Sequence, residues 1–564
     1  MSHEDIDSTK IWDSSNLAES FPGIVLPLTF SIARRGYELA YKSQAYSAGL
    51  DWFQLEANHR TFNAMTGLFA GRMYYDLVSW YKFIGLFPNN KQNQKYLDEQ
   101  LETLGSEVYL PAQNHSLSYK LSFWIRVAKR AIFFERERKK YWLYLDTTFK
   151  YYDQIPKEES IHSHLNRYSY LEQMIVPHMG RAVDNDFFVM SYNGMLKKLL
   201  RKWLGESTEA QHDFLGALHD VISTRQATLL LDIATYLKSD QKASLFLKDN
   251  KYDLLDKHLI SSPVGECLQE YRSDFLHRYA EDQKIESVNP LGSLQGFYSF
   301  IRTYMKLSPD EISTRRNEAK FQEKERTNSI LKKLNTWQRI IYKIILNRLK
   351  NHLRIREKNR LYRGKVYAHL RELFIQFGKV LNNQKILDDP KDVHYLDIEE
   401  LFQLINGSGY SDDFKGLVSA RKTKYESYKE INAPHRFITK GALTELPKEF
   451  HKGAPKKEKS RKKFKGIVAS PGVVYGKVMV LEKPIIPTEP FDILVVSHTD
   501  PGWTPLIALS KGLIVERGGI LSHAAIVTRE LGIPSIIGIE GITTHLRNGQ
   551  QVKLDATTGV IEVV

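Results

Sequence analysis

The chain reads as a multidomain protein, with a large all-α N-terminal region followed by a compact C-terminal α/β domain. Three observations predict this. Its 564 residues exceed what one ordinary hydrophobic core serves. Up to about Lys448, apolar residues recur at three- and four-residue spacing and glycine is sparse. After Lys465 the pattern changes to short apolar or alternating runs bounded by glycine, proline and aspartate, as strands and turns require. The expected layout is therefore a helical region over 1–448, a basic flexible linker over 449–465, and the α/β domain over 466–564.

The elements follow from these patterns in order. Leu121 to Leu145 and Phe188 to Leu204 each carry an apolar stripe and a basic face, which predicts amphipathic helices. Trp337 to Phe377 continues that pattern as one long basic helix, expected to end near Gly378. No repeat of solenoid period is present, so the helices form one irregular assembly. His451 to Lys465 is lysine-rich with glycine and proline, the composition of a solvated tether, with a nucleic-acid-binding tail as the alternative. Beyond it, Val473–Glu482, Phe491–Ser497, Leu513–Arg517, Pro534–Gly538, Gln551–Ala556 and Gly559–Val564 read as strands. Trp503–Ser510 and His523–Leu531 between them read as short helices.

Composition narrows the function classes. Eighty Lys and Arg against 66 Asp and Glu give a net charge of +14, which favours acidic partners or anionic ligands. No helix-turn-helix, RNA-recognition or zinc-finger signature accompanies that charge, so nucleic-acid binding is not expected. The single cysteine, Cys267, excludes an internal disulfide framework and a cysteine-rich zinc site, and no metal site is expected. The polar start MSHEDIDSTK has no signal-peptide order, and no run approaches the ~18 apolar residues of a membrane span. The expected location is the cytoplasm, away from membranes.

The chemistry concentrates between Gly518 and Pro534, GGILSHAAIVTRELGIP. Gly518 and Gly519 let the chain leave a strand through dihedrals that a Cβ resists. Ser522 is a natural N-cap, which puts His523 in the first helical turn, where backbone N–H groups lack intrahelical partners and favour anions. An imidazole with an ordinary pKa near ~6.5 offers a neutral nucleophilic nitrogen at pH 7. Phosphorylated, it is a good donor, because the ring leaves readily. Ser522 can hydrogen-bond the added anion, and Arg529, six residues on, can supply a cation or act structurally with Glu530. His498 and His545 lack such a setting and read as surface or packing residues.

These residues resemble the mobile phosphohistidine (swivelling) domain of the phosphoenolpyruvate-utilising enzymes. GIVASPGVVYGKV (Gly466–Val478), SHTDPGWTPL (Ser497–Leu506) and the histidine motif carry the likeness. It implies that His523 is a phosphocarrier on a domain that swings between distant sites. Phe21–Ser31, Gly71–Tyr81, Asp184–Met190 and Pro390–Leu401 resemble the helical substrate-binding region of phosphoenolpyruvate-synthase-like and rifampin-phosphotransferase-type enzymes. One departure is Phe275–Ser287, FLHRYAEDQKIES, where Ala280 and Glu281 replace the glycine–arginine chemistry of that family. Candidate substrate or anion groups are Arg72, Tyr74 and the adjacent Tyr75, with Arg354, Arg356 and Arg360 of the RIREKNR cluster. A solvated basic helix face paired locally through Glu357 is the alternative for that cluster.

Nothing in the sequence resembles the family's ATP-grasp domain, and no Walker-type loop is present. The resemblance therefore implies that ATP and Mg²⁺ belong to a separate ATP-grasp (phosphoenolpyruvate/pyruvate-binding-type) partner acting in trans. The expected function is a phosphotransferase component that delivers phosphate from His523 to a small-molecule substrate. The alternative is a non-catalytic binding or regulatory protein that keeps the swivelling fold.

Overall fold

The structure, a computed structural model, describes residues 9–14, 17, 20–88, 115–156, 160–205, 222–306, 309–409, 412–442, 445–451, 462–484, 489–519 and 522–564. The longer helices, together with the two that frame the site, are α1 (Pro27–Ala48), α2 (Leu117–Gln154), α3 (Gly180–Leu204), α4 (Ile222–Ser239), α5 (Pro309–Lys333), α6 (Thr336–Asn383), α7 (Thr504–Leu509) and α8 (His523–Leu531). The chain forms two compact units, one of Met1–Asp186, Gln283–Ser287 and Lys365–Lys456, the other of Phe187–Asp282, Val288–Gly364 and Lys457–Val564.

The first unit is helical, but its expected all-α character is corrected by a four-stranded antiparallel sheet. Its strands are β1 (Thr9–Asp13), β2 (Thr66–Phe69), β3 (Arg72–Asp76) and β4 (Arg436–Lys440), in the order β2-β3-β1-β4. Each is only four or five residues long, and β1 pairs with a strand more than four hundred positions away. Trp12, Phe69, Tyr74, Phe437 and Phe450 bury one face of this sheet. The aromatic residues of Gly71–Tyr81, a segment that resembles the family's helical region, are thus partly sheet core. A second correction concerns α6, which continues through Gly378 to Asn383. A Cβ at Gly378 would lie 1.9 Å from the Pro390 carbonyl oxygen, so this glycine permits close packing and does not end the helix.

The second unit contains helices from the middle of the chain and the C-terminal α/β fold. Its sheet has eight strands: β5 (Lys463–Lys465), β6 (Ile467–Ser470), β7 (Val473–Leu481), β8 (Ile493–Val496), β9 (Gly512–Val515), β10 (Ser535–Ile537), β11 (Gln551–Asp555) and β12 (Val560–Val563). The order is β5-β12-β11-β7-β8-β9-β10-β6. β7 to β10 run parallel, and antiparallel strands flank them. The parallel centre explains the uninterrupted ILVV and GLIV runs, since such strands are buried on both faces. Lys463–Lys465, assigned to the linker on composition, instead forms β5 against β12. The start of the expected linker lies in a 3₁₀ turn, Lys448–His451, and residues 452–461 lie outside the described residues.

Helices α7 and α8 cover one sheet face through Leu506, Ile507, Ala525 and Val527. Ala227 of α4 joins that core. Ile526 of α8 instead packs with Leu196 of α3 and Leu346, Leu349 and Leu353 of α6. Within this unit the α/β fold therefore rests on α3, α4 and α6. Gly378→Ala is expected to lower the stability of the full chain by about 1–3 kcal/mol through forced displacement of the Pro390 backbone. Urea unfolding followed by tryptophan fluorescence measures this, and an unchanged midpoint would remove the packing role.

Candidate functional site

The loop from β9 to α8 is built as its residue types require. Gly518 has φ +135°, in the region open to glycine, and the Gly519 carbonyl accepts the Ser522 N–H at 2.9 Å. Ser522 is extended (φ −66°, ψ 162°), and its hydroxyl accepts the Ala525 N–H at 3.4 Å, so it caps α8. His523 is the first residue of that helix. Gly532, with φ +65°, closes it in the left-handed conformation. Thr528 bonds Ser535 at 2.8 Å, and the Arg529 Nε–H donates to the Ala469 carbonyl at 2.7 Å, which fixes α8 against β10 and β6. Arg529 is thus committed to the fold, and burial pushes its pKa down to about 10.

His523 is only 1% exposed. Its Nε2 lies 3.0 Å from the Thr504 hydroxyl at the start of α7. Its Nδ1 lies 3.6 Å from Glu357 Oε2 on α6, an ionic contact longer than a hydrogen bond. A carboxylate only accepts, so the nitrogen facing Glu357 carries the proton and Thr504 donates to the bare Nε2. Burial pushes the imidazole pKa below its ordinary value; Glu357 opposes this, while Arg360 and Arg278 add to it. The ring is therefore held neutral, with its Nε2 lone pair available as a nucleophile. Glu357 is itself fully buried. Burial raises its pKa, but Arg360, His523 and Arg278 outweigh that and keep it well below the ordinary carboxylate value.

Three further groups complete the cluster. Arg360 reaches Glu357 through Nη1 at 3.4 Å. Arg278 is buried to 1% exposure, and burial lowers its pKa against the pull of Glu357, Asp282 and Asp500. Asp500 accepts the Glu281 N–H at 3.0 Å and the Gly502 N–H at 2.8 Å. Burial, with Asp282 adding, pushes its carboxyl up to about 8. The fit at this seam is close. A Cβ on Gly502 would stand 2.0 Å from the Ala280 backbone nitrogen, and Glu281 adopts φ +62°, a strained value for a residue with a side chain.

The other sequence candidates are placed as follows. Arg354 is exposed and Arg356 half-buried on α6, whereas Arg360 joins the His523 cluster. Arg72 and Tyr74 belong to the first unit. Arg72 donates to the carbonyls of Ala70 and Tyr428, and Tyr74 donates to the Pro434 carbonyl at 2.8 Å from within an aromatic core. Tyr75 pairs with the Tyr37 hydroxyl at 3.0 Å. His498 bonds Ser497, and His545 bonds the Gly541 carbonyl. Sequence reading assigned no role to Arg278, Asp500 or Thr504. The last two lie inside the SHTDPGWTPL motif, and Arg278 precedes the departing Ala280–Glu281 pair.

Comparison with known proteins supports these motifs. Residues 488–559 match the mobile domain of PEP-utilising enzymes, and residues 182–357 match the rifampicin phosphotransferase fourth domain. The chain is 26% identical over 388 residues to rifampicin phosphotransferase of Bacillus cereus, covering 66% of this chain and 43% of that protein. It is 25% identical over 380 residues to that of Bacillus subtilis, covering 65% and 43%. Chondramide synthase of Chondromyces crocatus is 30% identical over 215 residues, 36% of this chain and 6% of that protein. The chain thus spans less than half the length of the rifampicin phosphotransferases it matches. Among the described residues, no helix is long and apolar enough to cross a membrane.

The raised Asp500 pKa fixes the sign of a pH effect. The folded state keeps a proton that the unfolded chain releases near pH ~4, so this group removes stability as pH rises from about 4 to 8. Unfolding midpoints at pH 5 and pH 8 are expected to fall more with rising pH for the wild type than for Asp500→Asn. Equal slopes would show that Asp500 titrates normally.

Proposed function

We propose that this chain, which carries a mobile domain of the PEP-utilising-enzyme type and is related to the rifampicin phosphotransferases, is a phosphotransferase component with His523 as its phosphocarrier. The observation that carries the reading is the setting of His523: a neutral, buried imidazole between a carboxylate at Nδ1 and a hydroxyl at Nε2.

Each contact has a chemical use. Glu357 holds the Nδ1 proton, so Nε2 takes the phosphoryl group and the ring later leaves as neutral imidazole. In the delivery step the Nε2–P bond breaks and a bond forms from an acceptor oxygen to phosphorus. The acceptor's hydroxyl proton passes to an oxygen of the transferred phosphoryl group, because a loose phosphoryl-transfer transition state releases this proton late, when the hydroxyl has become strongly acidic; Glu357 keeps the Nδ1 proton on the leaving ring. Arg360 offsets charge on the equatorial oxygens. At 1% exposure, His523 is inaccessible to a nucleotide site on another protein. Charging therefore takes place in a second position of the domain, and the buried position is the one for delivery.

The phosphoryl donor on this reading is ATP with Mg²⁺ on an ATP-grasp protein acting in trans, and the acceptor is a small molecule. The helical half that presents Glu357 and Arg360 overlaps the segment matched to the fourth domain of rifampicin phosphotransferase. The test incubates the chain with Mg²⁺ and ATP labelled at the β- or γ-phosphate, with and without a candidate ATP-grasp partner. Acid-labile, base-stable label that requires the partner and disappears in His523→Ala is the expected result. Glu357→Gln is expected to keep most of the label yet slow its delivery about 10²-fold or more. No label with a partner of proven activity would favour a non-catalytic binding protein.

A further inference from the structure

Arg278 presents a problem of hydrogen bonding. Its guanidinium is buried, yet Nε, Nη1 and Nη2 have no hydrogen-bond acceptor. Five N–H donors on a buried cation with none satisfied are expensive, because both the charge and the donors have lost water. The other buried arginine of this unit, Arg529, is anchored on the Ala469 carbonyl. Carboxylates surround Arg278 without contacting it. Glu357, Asp282 and Asp500 all act on it through space, but Glu357 faces His523 and Arg360, and Asp500 receives two backbone N–H groups. Charge is thus compensated at a distance while the donors stay unfilled. What the site lacks is a set of acceptor atoms.

The location indicates what supplies them. Arg278 lies in the segment that seats against the turn leading to Thr504, the hydroxyl that meets His523: the Ala280 backbone abuts Gly502 and the Glu281 N–H donates to Asp500, and the Arg278 charge acts on both His523 and Glu357. A planar fork of N–H donors fits two oxygens of a tetrahedral oxyanion, which guanidinium binds in bidentate fashion. Arg278 and Arg360 face the carboxylates of Glu357 and Asp282, and burial raises the Asp500 carboxyl to about 8, so an anion here is held by the donors it fills and not by an excess of positive charge.

We propose that Arg278 is an oxyanion clamp, whose guanidinium binds a phosphate-class group beside His523. The group is either the phosphoryl carried on that histidine or an anionic group of the acceptor, and the first source rests on the phosphocarrier reading above. The clamp is a positioning residue. It holds the oxygens in one orientation relative to Nε2 and satisfies donors that no protein acceptor meets.

Inorganic phosphate titrated into the full chain by calorimetry tests the site directly, using wild type, His523→Ala, Arg278→Lys and Arg278→Gln. Phosphate is expected to bind wild type and His523→Ala alike, and at least about tenfold more weakly to Arg278→Gln, with Arg278→Lys between them. Circular dichroism establishes that each variant is folded, and Arg278→Lys carries the test if the glutamine variant is not. Unchanged affinity in a folded Arg278 variant, or no binding by wild type, overturns the clamp. Protein charged on His523 separates the two sources. If the carried phosphoryl occupies the clamp, charging abolishes phosphate binding; if the acceptor's anion does, charged protein still binds it. Failure of the phosphocarrier reading looks different, since His523 then takes no label while phosphate binding through Arg278 persists.

Discussion

The contact on which the site depends is the line from Glu357 through His523 to Thr504. It fixes three properties at once. A carboxylate at Nδ1 selects the tautomer, a hydroxyl at Nε2 marks the nucleophilic nitrogen, and near-complete burial keeps the ring neutral. None of these would follow from the α/β fold alone. The α/β fold supplies a histidine at a helix N-terminus, and α6 supplies the carboxylate. The chemistry arises only where the two meet.

That meeting is maintained by backbone as much as by side chains. Asp500 takes one N–H from its own turn and one from Glu281, and Gly502 lies flush against Ala280. Glu281 bears a left-handed conformation to present its N–H there. Strain and a protonated buried aspartate both cost stability, which suits a contact that has to be released. On the proposed reading, in which the domain delivers a phosphoryl group in one position and is recharged in another, the docked state has to be specific without being permanent.

Much of the C-terminal fold was legible in the sequence. Ser522 and Gly532 bracket α8 by their capping chemistry, and the helix runs from His523 to Leu531 as read. The parallel strands announced themselves as unbroken apolar runs. The sheet of the first unit was not legible, because its strands are short, aromatic and paired across most of the chain. Gly378 misled for a related reason: a helix-ending glycine and a close-packing glycine look alike until the facing backbone is known. At the site, His523 and the RIREKNR cluster were found by residue type and spacing. Their selection was not, since only Arg360 of the three named arginines joins the histidine's cluster, while Glu357 had read as a local ion-pair partner. Asp500 lies inside the SHTDPGWTPL motif and Arg278 beside the departing Ala280–Glu281 pair, but their roles come from burial and long-range contact.

The most direct measurement is a ¹⁵N NMR titration of the His523 side chain in the full, uncharged chain, assigned by comparison with His523→Ala. The ring is predicted to carry its proton on Nδ1 and to titrate below its ordinary value near ~6.5, with the pKa falling further in Glu357→Gln as the opposing charge is removed. A ring that titrates at or above the ordinary value, or that is indifferent to Glu357, would contradict the buried, neutral, carboxylate-oriented imidazole on which the phosphocarrier role is built.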